Sequence, residues 1–329
     1  RVCLETEGFA MLASLFPALP ARASAAPSSS LHDSNLLEGS LQTLMFHVHK
    51  AGGTALCQLA KRNGESISEH NCNLDDGSKF GFSCDRDQAS AQSGDEQGAY
   101  LKTVDRYTFG ADECLAPREP VAGVLTLTSL REPLERAASH FYYDADYGYA
   151  AATHGDCSSF DCFVLQRMES DDYAKYYFHN YMTRFFSGTA HTGAIGEEEL
   201  ERAKARLSGV DVLIDLNNYE ASLGTLQERL PNWNDTSLPH ENSSGGGTRT
   251  VEMSPEAIAK LTEANQLDLA LYEHFRFAAA RQHAAWAHGE QAAKERVTQT
   301  PPAPELERAF YNDSVRIVVT PSPTGGVYT

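Results

Sequence analysis

The sequence predicts an α/β fold. Two segments, Leu44 to Cys57 and Val124 to Tyr143, each read as a β-strand, a tight polar turn and then a helix. After them, helical patterns recur over about 160–169, 171–187, 196–208 and 219–230. The chain has 329 residues, 41% of them hydrophobic, which is enough for one large α/β domain with tails.

Residues 1–40 are rich in Ala, Ser and Pro and are expected to form a stem or linker. The domain is expected over 41–285, with 286–329 as a C-terminal tail. Leu41 to Val48 is β-prone and mostly apolar, which suits a buried strand. The run Lys50-Ala51-Gly52-Gly53-Thr54 breaks it, and Thr54 opens a helix with Ala55, Leu56, Leu59 and Ala60 at helical spacing. The polar stretch 64–99 reads as an irregular excursion over the face that carries the turns.

Val124 to Leu130 is the second buried-type strand. Pro133 fits a first helical turn and Glu135 suits the helix dipole, while Leu134, Ala137, Ala138 and Phe141 share one face. Arg136 is expected to be structural. Residues 145–159 form another loop, and Gly209 is a candidate C-cap for the helix before it. Ser254-Pro255-Glu256 supplies an N-cap, an N1 proline and an early acid, for a helix expected to reach about Ala285. Internal repeats are absent from the sequence.

Both turns carry groups that suit a phosphorylated ligand. Glycines let the backbone pass close to a ligand, and the N–H groups that open a helix attract anions. Lys50 adds a mobile cation and Thr54 a hydroxyl. Arg131 stands at the end of the second strand, where ligands of open α/β sheets bind, and Ser139 lies two helical turns along. The first turn is not a Walker A loop, because its lysine precedes the glycines instead of following them; this disfavours a P-loop kinase.

Taken together, the two segments resemble the signatures of the PAPS-dependent sulfotransferases, above all the Golgi branch containing the heparan sulfate 2-O- and 6-O-sulfotransferases. Phe46 to Thr54 is similar to the family's F-H-[VI]-x-K-[TA]-G-G-T loop, and Leu130 to Phe141 to its L-R-[DE]-P-x-x-R-x-x-S-x-[YF] element. Weaker echoes follow at Asn180 to Gly188, Val210 to Leu216 and Asp268 to Phe275, so the resemblance covers about residues 41–280. It implies a P-loop-like sulfotransferase fold, a central parallel sheet flanked by helices. It also implies PAPS as donor, PAP as product, and no metal. Lys50, Ala51, Gly52, Gly53, Thr54 and Ala55 would wrap the 5′-phosphosulfate, and Arg131 and Ser139 would hold the 3′-phosphate. A family loop that covers the nucleotide makes Ser243, Ser244, Thr248 and Arg249 further candidates.

The balance of 45 acidic against 27 basic residues gives a net charge of −18. Such a chain disfavours a long, highly charged polyanion as acceptor and argues against nucleic acid as partner. A lightly charged glycan or a small hydroxylated molecule fits better. The seven cysteines form no C-x-x-C pair, so a zinc knuckle is not expected. Cys157 with Cys162, and Cys72 with Cys84, are the expected disulfides in an oxidising compartment, leaving Cys57 as a buried thiol. Sequons at Asn234, Asn242 and Asn312 suit a secretory glycoprotein of the Golgi lumen. Because the chain opens on Arg1, upstream sequence able to carry an anchor is expected to precede it.

Transfer of a sulfonate to a hydroxyl needs charge stabilisation on the leaving oxygen and a base for the acceptor proton. Lys50 is the expected leaving-group cation. Related enzymes place a histidine base between the two signatures, but residues 100–120 contain none. Glu113 is the first candidate there, followed by Asp112 and Asp105. His49 departs from the family pattern and could touch the sulfonate, His47 matches the pattern, and His70 and His140 are further options. The missing histidine also motivates a different class: a non-catalytic PAP- or glycan-binding protein that keeps the fold.

Overall fold

The computed structural model describes residues 41–68, 71–74, 107–113, 123–146, 148–189, 193–238, 250–295 and 316–319. Its centre is a four-stranded sheet in the order β2-β1-β3-β4, all parallel. The strands are β1 (Thr43–Phe46), β2 (Phe109–Asp112), β3 (Leu125–Leu130) and β4 (Val212–Asp215). The architecture is thus α/β, with a parallel sheet flanked by helices.

Strand periodicity sorts the core. In β1, Leu44 and Phe46 join one apolar cluster while Met45, between them, joins another. Helix α1 (Gly53–Arg62) covers the Met45 side with Leu56, Leu59 and Ala60, against Phe109, Leu127 and Ile214. The other side packs on Phe185, Leu200, Leu207, Leu271 and Phe275.

The remaining helices are α2 (Pro133–Asp146), α3 (Ala150–Thr153), α4 (Phe160–Gln166), α5 (Asp172–Phe178), α6 (Tyr181–Ser187), α7 (Glu197–Leu207), α8 (Tyr219–Arg229), α9 (Pro255–Ala264) and α10 (Gln266–Glu295). A third cluster joins Phe141 of α2, Phe160 and Phe163 of α4, Phe178 of α5 and Leu261 of α9. Within 286–329, α10 continues to Glu295, and β6 (Arg316–Val319) pairs in parallel with β5 (Thr250–Met253).

Two helices expected to be continuous are broken, and the breaks meet. The 171–187 helix divides at Asn180, whose φ of 50° is left-handed. The helix from Pro255 divides at Asn265. The Asn180 side chain accepts from the Leu267 and Asp268 N–H groups at 2.9 and 3.1 Å, and its own N–H donates to Asn265 Oδ1 at 3.2 Å. Asp268 then accepts from Met182 and Thr183 N–H at 2.9 and 2.7 Å, capping α6. These side chains satisfy the terminal N–H groups that a break exposes, so both breaks are stable. Pro255 opens α9 with Ser254 as N-cap, as the sequence implies, with the Ser254 side chain accepting from Ala257 N–H. Gly209 is not the cap of α7: Ser208 takes that position and Gly209 falls in the following turn.

The cysteines correct one expectation. Cys157 and Cys162 are bonded, with Cα atoms 5.4 Å apart. Cys72, however, is joined to Cys57 and not to Cys84, with Cα atoms 5.6 Å apart. Helical spacing turns Cys57 inward, while pairing of Asn73 with Ala111 carries Cys72 along the side of β2 away from β1. Cys84 lies outside the described residues.

The Cys57–Cys72 bond closes a loop of 15 residues. Replacing both cysteines with alanine should lower stability by about 3 kcal/mol, the chain-entropy value for such a loop. Urea unfolding checks this, and an unchanged midpoint would show that the bond contributes nothing.

Candidate active site

The strand order reverses between β1 and β3. The chain leaves β1 for β2 on one side, and leaves β3 for β4 on the other. Their C-terminal ends therefore flank a topological switch point, the place where open α/β sheets hold ligands. The β1 and β3 turns bring Lys50 and Arg131 to this edge.

The β1 turn is built by close fits. Lys50 has a left-handed φ of 66° and Gly52 one of 85°. A Cβ on Gly52 would stand 2.9 Å from Leu216, and one on Gly53 only 1.9 Å from the His47 ring. The Ala51 N–H donates to Val48 O at 3.1 Å, and the Ala51 carbonyl accepts from Ser129 Oγ at 2.5 Å, tying the turn to β3. The first helical bond of α1 is Leu56 N–H to Gly52 O. No side chain caps α1, and its first turn contains no acid. The N–H groups of Gly53, Thr54 and Ala55 thus form a positive helix start with no carboxylate in its own first turn. Thr54 and Ala55 are half-buried there.

On the β3 side, Arg131 is buried, its Nε 3.6 Å from Glu135 Oε2. That separation is an ion contact rather than a hydrogen bond. Glu132 caps α2 by accepting from Glu135 N–H at 2.7 Å, and burial pushes its carboxyl above the ordinary value. Asn217 reaches across from the end of β4, accepting from Glu132 N–H and donating to Glu135, both at 2.9 Å. Ser139 is half-buried, one turn beyond Glu135 and one turn before Tyr143 on the same face of α2.

Lys50 connects the two halves. Its Nζ lies 4.2 Å from the centre of the Tyr143 ring, a cation–π contact. Burial, then the positive charge of Arg131, lower its pKa to about 8, against the opposing pull of Glu113, Asp144 and Asp146. A lysine whose charge is disfavoured by burial and by a neighbouring arginine at one sheet edge makes a site that favours an anion.

The expected base candidates divide. Asp112 ends β2 and is buried; Glu113 follows it, with Oε1 3.0 Å from His47 Nδ1. The His49 ring packs edge-on against Tyr143 at 5.2 Å, beside Lys50 on the same ring. His49 Nδ1 lies 3.0 Å from His140 Nδ1, and its N–H donates to the Tyr181 hydroxyl at 3.4 Å. Arg136 is fully buried, as a structural arginine should be, stacking on Tyr181 and donating to the Tyr177 carbonyl. Asp105, His70, Ser243, Ser244, Thr248 and Arg249 lie outside the described residues.

Sequence reasoning gave no site role to Tyr143, Glu135, Asn217, Tyr173 or Asp144. Tyr143 and Glu135 had a usable signal, because helical spacing from Ser139 puts all three on one face. The others arrive through tertiary packing. Among the described residues there is no metal-binding cluster of His, Cys, Asp or Glu, and no helix is long and apolar enough to cross a membrane. Comparison with protein-family models and with curated proteins finds no match.

Replacing Lys50 by methionine should stabilise the unliganded protein at neutral pH by about 3–4 kcal/mol, since its pKa falls from 10.5 to about 8 and each pKa unit is worth about 1.4 kcal/mol. The folded pKa is lowered, so the native state binds fewer protons than the unfolded chain between about pH 8 and 10.5. Wild-type stability therefore climbs with pH across that window, and its deficit against the methionine variant should close. Parallel pH profiles in denaturant melts would show that Lys50 is not strained by burial if the gap stays constant.

Proposed function

We propose that this protein is a PAPS-dependent O-sulfotransferase acting on a carbohydrate hydroxyl, with a P-loop-like sulfotransferase fold. The observation that carries this reading is the pairing of Lys50 and the α1 start with Arg131 across the β1/β3 switch point. One anion site at that edge would suit any phosphate. Two sites, on separate turns, suit a nucleotide with a 5′-phosphosulfate and a 3′-phosphate. The motif resemblance gives the same residues the same two ligand groups.

In the proposed reaction the acceptor oxygen attacks sulfur as its proton passes to a base. The bond between sulfur and the bridging oxygen breaks, and PAP leaves carrying that electron pair. Lys50, held on the Tyr143 ring, stabilises the charge on the bridging oxygen. The α1 N–H groups of Gly53, Thr54 and Ala55 hold the 5′ oxygens, beside Ala51 and Gly52. Arg131 holds the 3′-phosphate, with Ser139 along the same helix. Glu113, whose charge acts on Lys50, and His49, which shares the Tyr143 ring with Lys50, are the two candidates to take the proton.

The net charge of −18 favours a lightly charged glycan or small alcohol over a polyanion as acceptor. The two disulfides and the exposed sequon residue Asn234 are compatible with a secretory protein, and Golgi residence is part of the proposal.

Turnover of labelled PAPS should be measured against a panel of neutral glycans and small alcohols. Transfer to one of them is expected, and PAP binding without any transfer would favour a non-catalytic binder instead. Lys50→Ala should remove transfer by at least about a thousandfold, as loss of a preorganised charge does. Arg131→Ala should weaken PAP by about tenfold or more, as loss of a charge-assisted contact does, while leaving adenosine 5′-phosphosulfate nearly unchanged. Equal losses for both ligands would refute the 3′-phosphate assignment.

A further inference from the structure

Behind Lys50 runs a chain of polar side chains that the donor site does not use. His49 Nδ1 meets His140 Nδ1 at 3.0 Å. His140 Nε2 meets the Tyr173 hydroxyl at 3.1 Å. That hydroxyl is 2.9 and 3.1 Å from the two oxygens of Asp144. His154 closes the far end, its Nε2 3.6 Å from Asp144 Oδ2. His140 and Asp144 are almost fully buried on α2, while Tyr173 on α5 and half-buried His49 reach the surface.

The direction of each hydrogen bond follows from donor inventory. A carboxylate only accepts, so the Tyr173 hydroxyl donates to Asp144. Burial and that carboxylate push the phenol pKa up, which keeps the proton on oxygen. The Tyr173 oxygen must then accept, so His140 carries its proton on Nε2. Burial first, then the charges of His49, Arg136, Lys50 and His154, hold His140 well below its ordinary pKa. A neutral His140 has a single ring proton, so its Nδ1 accepts. His49 must therefore donate from Nδ1, and its Nε2 bears the lone pair. Tyr143 and Tyr177 face both imidazoles with their rings, and Tyr177 stacks on His140 at 4.2 Å.

We propose that His140, set by Tyr173 and Asp144, is a positioning residue that fixes the His49 tautomer and makes His49 Nε2 the general base for the acceptor hydroxyl. The inference rests on the sulfotransferase reading for the identity of the reaction. The tautomer itself is a property of the unliganded protein. In the step, Nε2 takes the hydroxyl proton as the oxygen–sulfur bond forms and the bond to PAP breaks. The resulting imidazolium still donates from Nδ1 to His140, so the relay holds in both protonation states. Glu113, by contrast, lies 3.0 Å from His47.

Nitrogen-15 NMR of histidine side chains, with His49→Gln to assign the resonance, tests the proposal without donor or acceptor. Neutral His49 should show the proton on Nδ1, and Tyr173→Phe should shift it toward the Nε2–H form. Proton on Nε2 in the wild type would overturn the relay. In turnover, His140→Phe should lower kcat by about 10²-fold or more, the usual worth of a positioned base, at unchanged PAP affinity. His140→Asn, which keeps an acceptor near the Nδ1 position, should recover most of it. If the phenylalanine variant does not fold, Tyr173→Phe at the surface end carries the same comparison. A wild type that fails to bind PAP would instead refute the sulfotransferase reading, leaving the tautomer result to stand or fall alone.

Discussion

Parallel pairing of β1 with β3 is the constraint on which the rest of the structure depends. Its register sets Thr43 against Leu125 and Phe46 against Thr128. Two parallel strands in register end at the same sheet edge, so the turns that follow them must meet there. Without that pairing, Lys50 and Arg131 would be two unrelated surface cations. With it, they meet at one sheet edge, and the charge of Arg131 helps to lower the Lys50 pKa. The Ser129 hydroxyl on the Ala51 carbonyl fixes the pairing at the turn itself.

The cost of gathering cations at a buried edge is met by its surroundings. Tyr143 offers Lys50 a ring face, and Glu135 offers Arg131 a carboxylate. Neither contact neutralises its cation as completely as a tight bidentate ion pair would. Under the proposed function, such an arrangement would let the site hold a strongly charged nucleotide and then release it. The glycines serve the same end, since Gly53 lies against the His47 ring and Gly52 against Leu216, where no side chain fits.

The sequence made much of this legible where the signal is local. The β1 and β3 segments, the Pro133 and Ser254 helix starts and the Cys157–Cys162 loop are all set by residues within a few positions of each other. The 171–187 break was hidden because its cause, Asn265, sits 85 residues from Asn180. The Cys57–Cys72 bond was hidden because neighbours along the chain suggested Cys72 with Cys84, whereas the bridge of Asn73 to Ala111 on β2 brings Cys72 to Cys57. Of the candidate site, the cationic half could be read from two turns. The His49 relay could not, because its links join the turn after β1, α2 and α5 at separations of 91 and 33 residues. Periodicity has no view of such contacts.

The central claim is that one sheet edge reads two phosphates at once. Calorimetric titration of the unmodified protein with PAP, 5′-AMP and 3′-AMP tests it most directly. The account predicts that PAP binds at least about tenfold tighter than either monophosphate, since each charge-assisted phosphate contact is worth roughly 1.5–3 kcal/mol. Equal affinity for PAP and 5′-AMP would contradict it.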